Sequence, residues 1–195
     1  MNGGIFNDGL ATTAFNGFNV ITGGSIVDAF TVSAPGSMGI LNGGAGDNTY
    51  TVNSSVGTLN GGADIDTVTV NTGGSVNQIN LGGGNDLFTI NGGSVVRVYG
   101  EAGDDTFTLN GGNSNIILDG GAGTDFAGYL GTTPITVGTT ATGLEGVNAL
   151  NGNGTLNAQA DVTTIWTING SNRGSLTDSS GQSLVFTGFS TLNGG

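Results

Sequence analysis

Residues 41–53 read LNGGAGDNTYTVN, a glycine-rich acidic loop followed by an alternating apolar run, and this pattern decides the fold because later copies repeat it. The later copies are LNGGADIDTVTVN at 59–71, NLGGGNDLFTIN at 80–91, YGEAGDDTFTLN at 99–110 and LDGGAGTDF at 118–126. A short unit of this kind can bury its apolar side only against its neighbours. The repeat is therefore typical of a solenoid of stacked coils rather than of a globular core.

The copies are evenly spaced along the chain. Counted from the first loop position, these five copies start 18, 20, 19 and 20 residues apart. The same frame extended backwards finds GGSIVDAF from 23 and a weaker GGIFNDGL from 3. The first loop positions are thus Gly3, Gly23, Gly43, Gly61, Leu81, Gly100 and Gly120. We predict regular coils over residues 1–140, followed over 141–195 by an irregular β continuation, a cap or spacer that ends where another coil would start.

Apolar residues alternate after each loop in the manner of a half-buried strand. Positions eight and ten, counted from the first loop position, face the same side of that strand. Position eight is Leu10, Phe30, Tyr50, Val68, Phe88 and Phe107, and position ten is Val32, Val52, Val70, Ile90 and Leu109. The residue two before each loop is also apolar: Ile21, Leu41, Leu59, Ile79, Val98 and Leu118. This pattern predicts an all-β, right-handed parallel β-solenoid (β-roll or β-helix) with rungs of 18–20 residues.

Composition agrees with this fold and excludes several functions. The 41 glycines among 195 residues favour short strands and tight turns over helices. The net charge of −12 disfavours nucleic acid and anionic membranes, and no apolar span is long enough for membrane insertion. There is no His, Cys or Lys, and the two arginines, Arg97 and Arg173, lie in different modules. Because a catalytic site needs a base, a nucleophile or a strong electrostatic clamp, we do not expect an enzyme.

An acidic residue recurs at loop position six. It is Asp8, Asp28, Asp66, Asp86, Asp105 and Asp125, whereas the Gly43 copy has Asn48 preceded by Asp47. Glycines let the backbone turn its carbonyl oxygens toward a shared point. A carboxylate added to such carbonyls suits calcium, a hard cation that takes about six to eight oxygen ligands.

Stacking would hold the equivalent carboxylates one rung apart. Two charges at that distance repel by about 1 kcal/mol in water and by about 3 to 4 kcal/mol at the intermediate permittivity of a protein surface. A cation between them reverses the sign of this interaction. We therefore expect calcium binding to be coupled to folding.

The loops resemble the glycine-rich calcium-binding repeats of RTX (haemolysin-type) proteins, whose pattern GGxGxDx precedes a bulky apolar residue. That pattern is matched by GEAGDDTF at 100–107 and GGAGTDF at 120–126. The resemblance covers residues 3–126 and implies a secreted or cell-surface bacterial β-roll that binds calcium between coils. Carried over by position, it implies as metal ligands Asp8, Asp28, Asp66, Asp86, Asp105 and Asp125, with Asp47 in place of Asn48.

The chain departs from the RTX pattern on one side of each coil. RTX rolls have an acidic loop on both sides, whereas the second turn here reads TGGS at 72–75 and NGGS at 91–94. Any calcium would therefore lie along one edge only. In addition, WTINGSNRGSL at 166–176 and VFTGFSTLNGG at 185–195 resemble a spacer between such repeats in very large bacterial surface adhesins and haemagglutinin-like proteins.

Two further polar series recur in register. Asn tolerates the left-handed conformation of a tight corner and can hydrogen-bond its equivalent one rung away, which predicts a structural corner ladder. The corner residues are Asn53, Asn71, Asn91 and Asn110. Thr at position nine predicts a ladder on the strand face opposite the core, formed by Thr31, Thr51, Thr69, Thr89 and Thr108.

These features predict an extracellular structural segment of a bacterial surface adhesin or fibre, stabilised by calcium along one edge. One alternative is a filament subunit, because both chain ends fall in the same phase of the repeat and an open solenoid end exposes unpaired strands. Another is binding to ice or a crystal surface through the Thr ladder. The expected partners are calcium ions and, in a filament, copies of the chain itself, with neither nucleic acid nor membrane insertion.

Overall fold

The computed structural model describes residues 3–7, 12–16, 18–111, 116–129, 135–137, 143–145, 147–152, 155–158, 165–177 and 183–193. All regular structure in these residues is β-strand, and they contain no helix that could cross a membrane. The strands before residue 130 are β1 (Gly3–Asn7), β2 (Thr12–Asn16), β3 (Val20–Thr22), β4 (Ala29–Val32), β5 (Ser37–Gly44), β6 (Thr49–Val52), β7 (Ser55–Gly62), β8 (Thr67–Asn71), β9 (Ser75–Gly83), β10 (Leu87–Asn91), β11 (Ser94–Ala102), β12 (Thr106–Asn110), β13 (Ile117–Asp119) and β14 (Asp125–Tyr129). The later strands are β15 (Ile135–Val137), β16 (Gly143–Glu145), β17 (Val147–Gly152), β18 (Thr155–Ala158), β19 (Ile165–Gly170), β20 (Arg173–Thr177), β21 (Ser183–Thr187) and β22 (Thr191–Asn193).

The strands form two long sheets, and the regular coils alternate between them. The first sheet has 12 strands in the order β19-β20-β21-β17-β14-β12-β10-β8-β6-β4-β1-β2. The second has 10 strands in the order β22-β18-β15-β16-β13-β11-β9-β7-β5-β3. From β4 to β14 the first sheet is parallel and pairs equivalent residues: Tyr50 with Val68, Val68 with Phe88, and Phe88 with Phe107. The predicted parallel β-solenoid and its rung length are confirmed.

The core is built from the apolar positions that recur in every coil. Residues at positions eight and ten of the coils from Gly23 to Gly100 are buried, as are the residues two before the loops from Gly43 to Gly120. Full burial of one such side chain is worth about 1.5 to 3 kcal/mol. Aromatic side chains also contact one another between coils, with ring centroids 5.2 Å apart for Phe30 and Tyr50 and 6.5 Å apart for Phe88 and Phe107. Stacking of equivalent residues thus produces one continuous core along the rod.

The N-terminal end differs from the predicted coil. The copy that starts at Gly3 was expected to stack in parallel, but β1 runs antiparallel both to β2 and to β4. Only four residues separate the end of β1 from the start of β2. A separation this short allows a hairpin but not parallel pairing, which needs a long crossover. The first sheet therefore begins with an antiparallel hairpin, and the regular stack begins at the Gly23 coil.

The C-terminal part continues both sheets less regularly. In the first sheet β17 and β21 extend the parallel stack, whereas β19 and β20 add an antiparallel hairpin beyond β21. In the second sheet β16 lies between β13 and β15, so the order no longer follows the chain. Phe186, Phe189 and the edge of Trp166 extend the core here, with the Trp166 and Phe186 rings in an edge-to-face contact at 5.7 Å.

Candidate metal-binding edge

A column of buried polar side chains runs along the corner where each loop leads from the second sheet into the first. Position six has the same parity as the core positions eight and ten, so the strand alternation turns its side chain inward. Every member of the column is at most 2 % exposed. The column, here called the inner ladder, consists of Asp28, Asn48, Asp66, Asp86, Asp105 and Asp125.

In every coil of the inner ladder after that of Asp28, the side-chain Oδ1 accepts a hydrogen bond from a backbone N–H of the preceding coil. The N–H of Asp66 donates to Oδ1 of Asp86 at 2.7 Å, and the N–H of Asp86 donates to Oδ1 of Asp105 at 2.8 Å. The same bond joins Asp28 to Asn48, Asn48 to Asp66, and Asp105 to Asp125. The side chains therefore replace the carbonyl acceptors that these corner N–H groups would otherwise need.

A second series of side chains, here called the outer ladder, lies one position earlier on the exposed surface of the loops. Its members are Asp47, Asn85 and Asp104. Each accepts the N–H of position five in the following coil: Asp47 from Ile65 at 3.0 Å and Asn85 from Asp104 at 2.9 Å. Asp104 accepts from Thr124 in the same way at 2.8 Å. The outer ladder thus points toward the next coil, whereas the inner ladder points toward the previous one.

The second carboxylate oxygen is what sets the inner ladder apart from a purely structural one. Oδ2 of Asp66, Asp86 and Asp105 is buried and has no hydrogen-bond partner among the described residues. In Asp28 the arrangement is reversed, since Oδ2 accepts the N–H of Gly24 at 2.6 Å and Oδ1 is the buried oxygen without a donor. A buried charged oxygen without a partner is costly, which indicates that these carboxylates need a proton or a cation.

Glycine at the first loop position leaves room for the carboxylate. A Cβ atom on Gly61 would overlap both Oδ2 of Asp66 and the carbonyl oxygen of Leu81 in the next coil. A Cβ atom on Gly23 or on Gly100 would likewise overlap a carboxylate oxygen of its own coil and a carbonyl oxygen of the next coil. In these coils the space beside the first glycine is therefore lined by a carboxylate oxygen and a carbonyl oxygen. The coil of Asp86 differs, because its first loop residue is Leu81, which has a side chain there.

Burial raises the pKa of these carboxyl groups. The pKa of Asp66 and that of Asp86 rise from 3.8 to about 6, and that of Asp105 rises to about 7, chiefly because desolvation penalises the charged form. Desolvation also raises the pKa of Asp125. Neighbouring carboxylates add to the increase, whereas the N–H bonds from the preceding coil oppose it. Folding therefore makes these carboxyl groups hold a proton more tightly than they do in the unfolded chain.

These residues fit a calcium ion in part. The orphaned carboxylate oxygens and adjacent carbonyls are hard oxygen donors of the kind that calcium takes. Both arginines, Arg97 and Arg173, are exposed on other strands, so neither supplies a buried positive charge. No three acidic side chains converge on one point in the part of the chain that the structure describes. A cation would therefore take one or two carboxylates and complete its shell with carbonyl oxygens and water.

One of the predicted metal ligands stands apart from the inner ladder, and another is not among the described residues. Asp47 was expected to substitute for Asn48, but it is exposed and belongs to the outer ladder. The reason is parity: position five points away from the core when position six points toward it. Asp8 lies outside the described residues. The remaining ligand candidates, Asp28, Asp66, Asp86, Asp105 and Asp125, are brought into one column.

The predicted corner asparagines lie in register, and a second asparagine series was missed. Nδ2 of Asn71 donates to Oδ1 of Asn53 at 2.9 Å, and Nδ2 of Asn110 donates to Oδ1 of Asn91 at 3.1 Å. The missed series consists of Asn42, Asn60 and Asn80. Hydrogen bonds of 2.7 and 2.6 Å join their side-chain amides from coil to coil. Its signal was the Asn directly before each of these three loops. Both series tie neighbouring coils together, as stacked amides do in other parallel assemblies.

The predicted Thr ladder is continuous over five coils. Thr31, Thr51, Thr69, Thr89 and Thr108 pair directly with one another in the first sheet. All five are partly exposed, because the core positions on either side point the other way. The ladder ends where Thr108 pairs with Gly128.

Comparison with known proteins does not extend this picture. No protein family, no curated protein and no solved structure matches the chain. The function therefore has to be inferred from the chemistry of the two loop ladders and of the Thr ladder.

Proposed function

We propose that the chain is a stiff structural segment of an extracellular bacterial adhesin or fibre, and that calcium neutralises the carboxylates of its inner ladder. The repeated coils supply the stiffness, since their backbone and side-chain bonds run from coil to coil along the whole stack. Calcium then makes the rod stable only where this ion is abundant, outside the cell. Under this proposal the chain has a mechanical role and no catalytic one.

The observation that supports calcium is the set of buried oxygens without donors. Asp66, Asp86 and Asp105 follow one another in the stack, and equivalent strands lie about 4.8 Å apart. Their raised pKa values mean that ionisation of these groups opposes folding at neutral pH. The chain has a net charge of −12 and only two basic residues, so it cannot neutralise the ladder itself. A divalent cation removes the repulsion and supplies the partner that each orphaned oxygen lacks.

Hard oxygen donors favour calcium over transition metals. The chain has no His and no Cys, which are the ligands that zinc and copper sites use. Magnesium demands a near-ideal octahedral shell and gives up its water reluctantly, whereas calcium accepts irregular shells of carboxylate and carbonyl oxygens. The residues that would hold calcium are Asp28, Asp66, Asp86, Asp105 and Asp125, together with carbonyl oxygens of the adjoining loops.

Asp105→Asn tests this assignment. The amide keeps an Oδ1 acceptor for the N–H of Asp86 but removes the charge, so we expect fewer calcium ions per chain and higher stability in chelator at pH 8. Titration calorimetry gives the number of ions, and far-UV circular dichroism in chelator at pH 8 gives the fraction of folded protein, which should exceed that of wild type. The matched control is Asp104→Asn in the same loop, which is exposed and keeps an acceptor for Thr124. Equal calcium binding by wild type and Asp105→Asn would contradict the assignment.

The in-register Thr ladder favours one second candidate, binding to ice or a crystal surface. Replacing Thr69 and Thr89 by Tyr disrupts the middle of the ladder on an exposed face, so stability should change by no more than about 0.5 kcal/mol for each residue. If the rod proposal is correct, neither wild type nor variant shapes growing ice crystals. Ice shaping by wild type that the variant loses, and that Gln78→Tyr on the second sheet retains, would establish the second function.

The filament alternative receives less support. End-to-end stacking in the repeat register needs parallel strands at both ends of each sheet. The first sheet instead ends in the antiparallel β1–β2 hairpin on one side and the β19–β20 hairpin on the other. Such strands give a copy no continuation of the parallel register, and at an edge they work against uncontrolled pairing.

A further inference from the structure

The Gly43 coil departs from its neighbours at two loop positions at once. Position six is Asn48 instead of Asp, and position eight is Tyr50 instead of an apolar residue. Among the described coils it is the one that lacks a carboxylate in the inner ladder, and also the one with a polar atom at position eight. The coincidence indicates that these two side chains act together.

The Tyr50 hydroxyl lies in the space beside the first glycine of its coil. Tyr50 is fully buried, and its hydroxyl lies 3.3 Å from the carbonyl oxygens of Asn60 and Gly61, to which it donates. A Cβ atom on Gly43 would overlap this hydroxyl and would lie 2.6 Å from Nδ2 of Asn48. In the acidic coils with a first-position glycine, a carboxylate oxygen lines the same space. The Gly43 coil thus offers a hydroxyl and an amide in place of a charged oxygen.

Asn48 preserves the inner ladder without adding charge. Its Oδ1 accepts the N–H of Asp28 at 2.9 Å, and its own N–H donates to Oδ1 of Asp66 at 2.8 Å. Nδ2 of Asn48 makes no well-formed hydrogen bond. It lies, however, close enough to the Tyr50 oxygen to lower the pKa of the Tyr50 hydroxyl. Burial and the nearby Asp66 and Asp28 nevertheless raise the pKa of Tyr50, so its hydroxyl stays protonated and remains a donor.

We propose that the Asn48–Tyr50 pair makes the Gly43 coil independent of calcium, with the tyrosine hydroxyl taking the space and the bonding role that a cation has in the acidic coils. This inference rests on the proposed function, because it needs the acidic coils to bind calcium. The Asn48–Tyr50 pair divides the calcium-binding edge into two parts, one at Asp28 and one from Asp66 onward. Calcium ions on the two sides of the pair are then separated by a coil that has no charged residue in the inner ladder.

The test restores the acidic pattern with the double variant Asn48→Asp/Tyr50→Phe. We expect this variant to bind one calcium ion more than wild type at pH 8, and its melting temperature in calcium to rise more steeply with calcium concentration. Calorimetry gives the stoichiometry for protein that is folded without calcium. Native mass spectrometry after refolding in calcium gives it for a variant that is unfolded in chelator.

Two single substitutions separate the hydroxyl from the charge. Tyr50→Phe keeps the ring and should bind as many calcium ions as wild type. In chelator at pH 5, where the chain is expected to be folded, it should melt at a lower temperature than wild type, because the carbonyl oxygens of Asn60 and Gly61 lose their donor. Phe107→Tyr places a hydroxyl beside Asp105 in an acidic coil. We expect this variant to lose one calcium ion, or to weaken one site at least tenfold.

Each outcome bears on a specific claim. A double variant that binds no additional calcium overturns the inference, and so does one that fails to fold even in saturating calcium, since a restored site would be occupied there. Wild type that binds no calcium refutes the proposed function itself. Wild type that binds calcium while the double variant adds none refutes only the role of the Asn48–Tyr50 pair.

Discussion

Stripped of calcium at pH 8, the protein is expected to lose most of its β-sheet signal, and acidification of the same sample to pH 5 is expected to restore it. The inner ladder is the cause. With a folded pKa of about 6 against an ordinary 3.8, ionisation of Asp66 alone costs about 3 kcal/mol. Asp86 and Asp105 carry similar or larger shifts. A cost of this size is a large fraction of the net stability of a typical domain, about 5 to 15 kcal/mol.

The direction of the pH effect follows from which state binds more protons. An acid whose pKa is raised by folding binds protons more tightly in the folded state, so its contribution is fully present below pH 3.8 and is lost as the pH rises through about 6 to 7. Acid should not unfold the chain by repulsion, because it has only two basic residues. A value of pH 5 also keeps the protein away from its isoelectric point near 4.1, where association is favoured.

Far-UV circular dichroism of the protein in chelator, measured at a series of pH values from 5 to 8, tests this effect directly. Addition of calcium at pH 8 should then return the spectrum to that of the acidic sample, because proton and cation satisfy the same oxygens. Equal stability of the chelated protein at pH 5 and pH 8 would mean that the carboxylates of the inner ladder are already neutralised by other means. The control is Asp104→Asn, which keeps every carboxylate of the inner ladder. Because the charge of Asp104 contributes to the raised pKa of Asp105 and of Asp125, the pH profile of this variant should move slightly toward higher pH, and by less than that of Asp105→Asn.

Gly82→Ala is expected to lower the stability by about 3 kcal/mol or more even in saturating calcium. Gly82 has φ of +112°, a conformation that costs a side chain about 1 to 2 kcal/mol. Its Cβ atom would also overlap the carbonyl oxygen of Gly62 in the preceding coil, and a backbone atom in a parallel ladder cannot move aside alone. The melting temperature should fall by roughly 6 °C or more for a chain of this length.

Gly73→Ala is the matched control for the steric part of that effect. Gly73 has φ of +90°, but the atom closest to a Cβ there, the carbonyl oxygen of Asn53, would be 3.5 Å away, an ordinary contact. This variant should therefore show only the conformational cost of about 1 to 2 kcal/mol. Equal losses for the two variants would mean that the coils can separate to admit a methyl group, which would contradict the tight stacking described above.

The architecture of the regular coils could be predicted because a single periodic signal determines it. Once Tyr50, Val68 and Phe88 are placed on equivalent positions, the parallel register and the shared core follow from strand geometry. The same frame predicted which Asp residues form one column. Their hydrogen bonds could not be predicted in this way, because whether Oδ1 of Asp86 accepts the N–H of Asp66 depends on the rise and twist between coils.

Two departures from the regular repeat frame have local physical causes. The N-terminal copy retains the letters GGIFND, but only four residues separate its two strands. That number is too small for a crossover to the second sheet, and it decides between hairpin and coil. Asp47 is adjacent to Asn48 in sequence yet points to the other side of the chain, since neighbouring residues alternate in direction. In both cases similarity of residue type was a weaker constraint than backbone geometry.

The opposite directions of the two ladders determine how such a rod can change length during evolution. Asp66 completes the backbone of the coil before it, and Asp104 completes the backbone of the coil after it. The loops that start at Gly61 and Gly100 are therefore completed by side-chain atoms from both neighbouring coils. Duplication or loss of a whole coil preserves the inner-ladder bonds, because their donor and acceptor recur in the same phase. A deletion within one loop would instead leave unpaired N–H groups in the coils on both sides of it.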